Sequence, residues 1–181
     1  MSTRPAVYIV PTDRWYIERT VWLIAGFVLL AATALSALVH PLWVLGVLVT
    51  AVTSIEVGVI GFCPVGNVLA KFGFLPALAQ PGWTPGRLYF LQTDRWYLER
   101  RIYVAVGINL SLASALTLLH SHWWLLFTGF VGVAMVWFAA TGFCIMANGL
   151  YWLGAEPRLA PMAEPPDAAE ASASANRRAP A

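Results

Sequence analysis

Two cysteines, one isolated glutamate and three histidines are the side chains with chemistry to offer in a sequence that is otherwise largely apolar. Cys63 precedes Pro64, and proline favours the first position of a helix. The sequence therefore predicts a short helix over 65–72, closed by Gly73. Cys63 then stands at the helix N-terminus, where unpaired amides and the helix dipole favour a thiolate and so a nucleophilic or redox-active cysteine. Cys144 is followed by Ile145 and lacks that preorganisation, which makes Cys63 the better thiol candidate. The competing reading of either residue is a small apolar side chain packed at a helix junction, the usual fate of a free cysteine. His40, His120 and His122 could bind a metal, but their spacing matches no recognised site, so neither a metal nor a cofactor is expected.

These residues need elements to hold them, and composition says what kind. The 181 residues are 59% hydrophobic, 13% aromatic and 11% charged, with a mean hydropathy of +0.68. Soluble domains carry about 25% charged residues. No Asp, Glu, Lys or Arg occurs from Thr20 to Ile55 or from Ile102 to Ala155, and each run has room for two spans of about 20 residues. An all-α integral membrane fold follows. The net charge of +2 is small and scattered, which excludes nucleic-acid binding and leaves the lipid bilayer as the expected partner. The first apolar stretch is longer than a signal-peptide core and is read as a retained span.

The chain repeats itself. Thr12-Asp13-Arg14-Trp15-Tyr16-Ile17-Glu18-Arg19 recurs 81 residues later as Thr93-Asp94-Arg95-Trp96-Tyr97-Leu98-Glu99-Arg100. The same offset relates Gly26 to Gly107, Gly61-Phe62-Cys63 to Gly142-Phe143-Cys144, and Asn67 to Asn148. This predicts a tandem duplication. The units are placed at 12–75 and 93–155, with a leader at 1–11, a linker at 76–92 and a disordered tail at 156–181. Spans near 20–39 and 42–62, then 102–119 and 123–143, make two helical hairpins whose tight turns hold the histidines. A unit that crosses twice returns to its starting side, so the hairpins are parallel copies flanked by short interfacial helices. All eleven basic residues lie outside the hairpin turns, which places both termini in the cytoplasm. Asp13, Glu18, Asp94 and Glu99 alternate with arginines, where local ion pairing is expected.

Glu56 is the one formal charge within a span, at a cost of about 3 kcal/mol that calls for a partner. Asn109 lies at matching depth in its own span, and the repeat-equivalent residues, Trp137 and Val28, are both apolar. Glu56 and Asn109 are therefore expected to hydrogen-bond, and with Cys144 they complete the candidate binding residues.

Arg19 followed by Gly26, then a hairpin, then Gly61-Phe62-Cys63-Pro64 with Leu69 and Gly73, resembles the YgaP-like transmembrane domain, a two-helix bacterial inner-membrane module. Arg100, Gly107, Thr141-Gly142-Phe143-Cys144, Leu150 and Gly154 resemble it again. Members are often fused to a rhodanese domain, so the resemblance implies a multi-pass inner-membrane protein near a rhodanese-type sulfurtransferase. On that basis Cys63 accepts or senses sulfane sulfur at the cytoplasmic face, or the bundle passes a small sulfur species. The alternative is a non-catalytic structural or assembly module that packs against a partner membrane protein. No His or carboxylate motif adjoins Cys63, so the chain alone is not expected to be an enzyme.

Overall fold

The computed structural model describes residues 7–159. These form six α-helices and no strand, apart from isolated bridges. They are α1 (Ile17–Leu38), α2 (Val44–Ile60), α3 (Pro64–Lys71), α4 (Leu98–Leu119), α5 (Trp124–Thr141) and α6 (Ile145–Trp152). Helices α1, α4 and α5, together with α2 extended back through the 3-10 turn Pro41–Trp43, are long and apolar enough to cross a membrane. Both α1 and α4 begin a few residues before the expected spans, which draws Glu18, Arg19, Glu99 and Arg100 into their first turns.

Each long helix ends where the chain can turn. Gly61 and Gly142 close α2 and α5 with φ of 85° and 75°, the left-handed conformation that an L side chain rarely adopts. The turns at the opposite ends are tied locally. The ring Nδ1 of His40 accepts the Leu42 amide at 3.2 Å, and the Trp124 indole N–H donates to His120 Nδ1 at 3.4 Å.

The closest helix packing joins the two halves of the chain, α1 against α5 and α2 against α4. Small residues permit it. A Cβ added at Gly26 would stand 3.0 Å from the Gly132 carbonyl oxygen and 2.8 Å from Val136 Cγ2. One at Gly107 would stand 2.6 Å from the Ala51 oxygen and 2.5 Å from Ile55 Cγ1. Such close approach of backbones is how helices associate where lipid removes the hydrophobic drive between them. Nearer the histidine turns the hydroxyls of Thr33 and Thr128 lie 2.9 Å apart across α1 and α5.

Two apolar clusters fill the interior. Leu29, Ala32, Val44, Val47, Ala51, Leu110 and Leu125 form one near the histidine turns. The other, at the arginine end, is aromatic: Trp22 stacks on Phe138 with centroids 4.4 Å apart and lies 6.2 Å from Tyr103.

Candidate functional site

The helix expected after Cys63 forms as Pro64–Lys71, with Pro64 in its first turn and Cys63 at the N-cap. There the Gly66 amide donates to Cys63 Sγ at 3.2 Å. Burial nevertheless outweighs that amide. Cys63 is only 2% exposed, and the loss of hydration pushes its thiol up to about 11, against the help of the Gly66 and Val65 amides. Cys144 occupies the matching N-cap of α6 without a proline, so Pro64 is not what starts such a helix. It is half-buried, and burial raises its thiol too. Accessibility thus ranks Cys144 ahead of Cys63, the reverse of the order expected from helix capping.

The Glu56–Asn109 pair does not form. Asn109 is exposed on α4, and its amide donates to the Ala105 carbonyl one turn back at 2.8 Å. A single polar residue on a helix surface can satisfy itself on its own backbone, a solution that equal depth alone does not reveal. Glu56 is half-buried on α2, and its carboxylate has neither hydrogen bond nor ion pair among the described residues.

Where sequence spacing suggested local ion pairs, the fold builds two buried polar centres. Glu18 is 1% exposed and accepts the Ala77 amide at 2.9 Å, the Leu78 amide at 2.7 Å and the Tyr89 hydroxyl at 2.8 Å. Glu99 is fully buried and accepts the Arg158 amide at 3.0 Å, the Leu159 amide at 2.7 Å and the Tyr8 hydroxyl at 2.6 Å. Every partner of Glu99 lies 81 residues from the matching partner of Glu18, modulo the exchange of halves. The tyrosines are supplied crosswise, Tyr89 from the second half to Glu18 and Tyr8 from the first half to Glu99. Burial, with the carboxylate beside it, holds each phenol far above its ordinary range, so the proton stays on the tyrosine.

The same residues clamp the chain on its other side. Asn67 donates to the Tyr89 carbonyl at 2.9 Å and accepts its amide at 2.7 Å. Asn148 does the same for Tyr8 at 3.0 and 2.7 Å. The Val10 amide donates to the Gly142 carbonyl and the Leu91 amide to that of Gly61. Tyr8 and Val10 fall in the segment read as a leader, Tyr89 and Leu91 in the one read as a linker, and Arg158 and Leu159 at the start of the tail. The remainder of that tail lies outside the described residues.

Beside each carboxylate an arginine caps the helix of the opposite half. Arg19 Nε donates to the Ala139 carbonyl at 2.7 Å, and Arg100 Nε to that of Gly58 at 2.6 Å. These are last-turn carbonyls of α5 and α2, where the helix dipole is negative. The guanidinium of Arg19 lies 4.0 Å over the Trp15 ring and that of Arg100 3.9 Å over Trp96. Both tryptophans are half exposed, so each ring covers its arginine from the outside.

Sequence reasoning missed Tyr8 and Tyr89, although the signal was present: the two tyrosines share the 81-residue offset. Comparison with protein-family models, with curated proteins and with solved structures finds no match to the chain.

Proposed function

We propose that the chain is a multi-pass protein of the bacterial inner membrane that serves as a non-catalytic assembly module, packing against a partner membrane protein. In this reading two tandem hairpins run parallel about a pseudo-twofold along the membrane normal, α3 and α6 lie at the cytoplasmic interface, and both termini are cytoplasmic. The observation that carries it is the use of the buried charges. Glu18, Glu99, Arg19 and Arg100 are all bonded to backbone or to tyrosine in closing the fold, so the groups best placed for chemistry hold the two halves together. Against this background the outer faces of the long helices, apolar and exposed, are what the molecule presents.

A photo-crosslinking amino acid placed in turn on the outer face of each long helix in native membranes tests the proposal. A discrete crosslinked protein species from one face is expected. Crosslinks to lipid alone from every face would overturn it.

A second reading, sulfane-sulfur handling as in the resembling YgaP-like module, draws on the N-cap geometry of Cys63 and on the partial exposure of Cys144. The thiolate would attack the outer sulfur of a persulfide, forming a new S–S bond as the donor's bond breaks and the donor leaves as a thiolate. Intact-mass measurement of the folded protein after polysulfide exposure separates the readings: addition of sulfur to either cysteine at neutral pH favours this second one.

A further inference from the structure

The charges outside the two buried centres include a pair that breaks the 81-residue pattern on one side of the bundle only. Glu56 on α2 has Trp137 as its counterpart on α5, and Arg101 on α4 has Thr20 on α1. Helices α2 and α4 are packed neighbours, so an acid and a base have appeared together on the α2–α4 side, while the α1–α5 side keeps a tryptophan and a threonine. Trp137 is 59% exposed, a residue suited to lipid.

Both charged residues lie at the same end. Glu56 is four residues before the end of α2, about 6 Å along the axis. Arg101 is three residues after the start of α4, about 4.5 Å in. The level is shared across the two helices, since a Cβ at Gly58 of α2 would stand 3.1 Å from the Arg100 carbonyl oxygen of α4. Arg101 is exposed and donates from Nε to the Trp96 carbonyl at 3.1 Å, and it makes no ion pair with Glu56.

Exposed Arg101 and half-buried Glu56 each adjoin exposed apolar residues at heptad spacing. On α2 the stripe passes through Val49, Val52 and Glu56, and on α4 through Arg101, Ile108 and Leu112. Steps of three, four and seven residues are those of a helix-docking seam, in which a single polar residue fixes partner and register.

We propose that this face binds a second copy of the chain about a twofold axis along the membrane normal, with Glu56 of each copy paired to Arg101 of the other. A twofold brings α2 of one copy opposite α4 of its neighbour, so each acid meets a base twice over and no like charges are apposed. An unpaired carboxylate facing hydrocarbon is costly, and the second copy removes that cost at both sites. The proposal rests on the membrane reading above but not on the identity of any other partner.

Energy transfer between full-length chains carrying donor or acceptor fluorophores, reconstituted together in lipid vesicles over a range of protein-to-lipid ratios, tests it. The wild type is expected to dimerise. Glu56→Arg and Arg101→Glu should each weaken association by roughly tenfold or more, because each apposes like charges. Mixing the two single variants should restore it, because in the mixed dimer each acid again faces a base. An ion pair made within one chain cannot be rescued by mixing, so recovery only in the double variant overturns the proposal. Transfer indifferent to all the substitutions, or a wild type that stays monomeric, overturns it too. Glu56→Gln and Arg101→Gln, expected to weaken association by a smaller factor, replace any charge-reversal variant that fails to retain the wild-type melting transition in micelles. Membrane insertion is scored on the same vesicles by flotation, so loss of dimerisation with insertion intact counts against the dimer alone.

Discussion

The Tyr8 hydroxyl donates to Oε1 of Glu99 at 2.6 Å across 91 residues of chain, and Tyr89 makes the equivalent contact with Glu18 at 2.8 Å. Each half of the molecule is thereby sealed by a residue of the other. Removing one hydroxyl leaves the carboxylate with its two amide partners, so Tyr8→Phe and Tyr89→Phe should each cost about 1.5–3 kcal/mol, the range for hydrogen bonds to charged groups. Glu18→Leu strands the Ala77 and Leu78 amides as well as the Tyr89 hydroxyl and should cost more than either. Denaturant or thermal unfolding in micelles measures these losses, and a Glu18→Leu variant as stable as wild type would contradict the account.

The arginine caps should resist replacement by lysine. Arg100 donates to four carbonyls, those of Gly58, Val59, Thr93 and Arg95, and Arg19 likewise to those of Thr12, Arg14, Ala139 and Ala140. A compact ammonium cannot reproduce that fork. Arg100→Lys is expected to lower stability by about 2 kcal/mol despite keeping the charge. Equal melting of Arg100→Lys and wild type would show that charge alone suffices.

Close approach at the helix seams orders three glycine substitutions. Gly107→Ala places a methyl 2.6 Å from backbone oxygen and should destabilise most, by about 1–3 kcal/mol. Gly26→Ala, with its nearest backbone oxygen at 3.0 Å, should cost less. Gly149 in α6 has open space around it, so Gly149→Ala should be neutral or stabilise by up to about 1 kcal/mol through helix propensity. Thermal unfolding of the three variants would reveal whether the order holds.

Cysteine reactivity should follow burial. In folded protein at neutral pH a maleimide or iodoacetamide reagent should modify Cys144 before Cys63. Labelling of Cys63 should climb steadily with pH toward about 11, because only the thiolate reacts. The sign for stability follows. A thiol raised on folding binds its proton more tightly in the native state, so its contribution is complete below the ordinary value of 9.0 and is lost as pH rises through about 11. Cys63→Ala should flatten that alkaline loss, and rapid labelling of Cys63 at pH 7 would refute the burial argument.

Local pattern in the sequence was sufficient for the four long apolar helices, the short helix after Cys63 and the turns that hold the histidines. Each depends on hydropathy, capping residues and proline or glycine within a few positions, so each is legible without knowing the fold. The 81-residue offset likewise pointed to equivalent places in the two halves. What the sequence left open was which half satisfies which group. Glu18 and Arg19 stand one residue apart, as do Glu99 and Arg100, and spacing alone suggested pairing along the chain. In the folded molecule the carboxylates turn to backbone amides and a tyrosine, and the arginines to helix ends of the opposite half. The reason is physical: a charge buried at a helix start must be met by whatever groups tertiary packing brings there, and those come from 41 to 121 residues away. The same packing buried Cys63 against its favourable cap and turned Asn109 outward onto its own helix, outcomes set by burial and direction rather than by position in the chain.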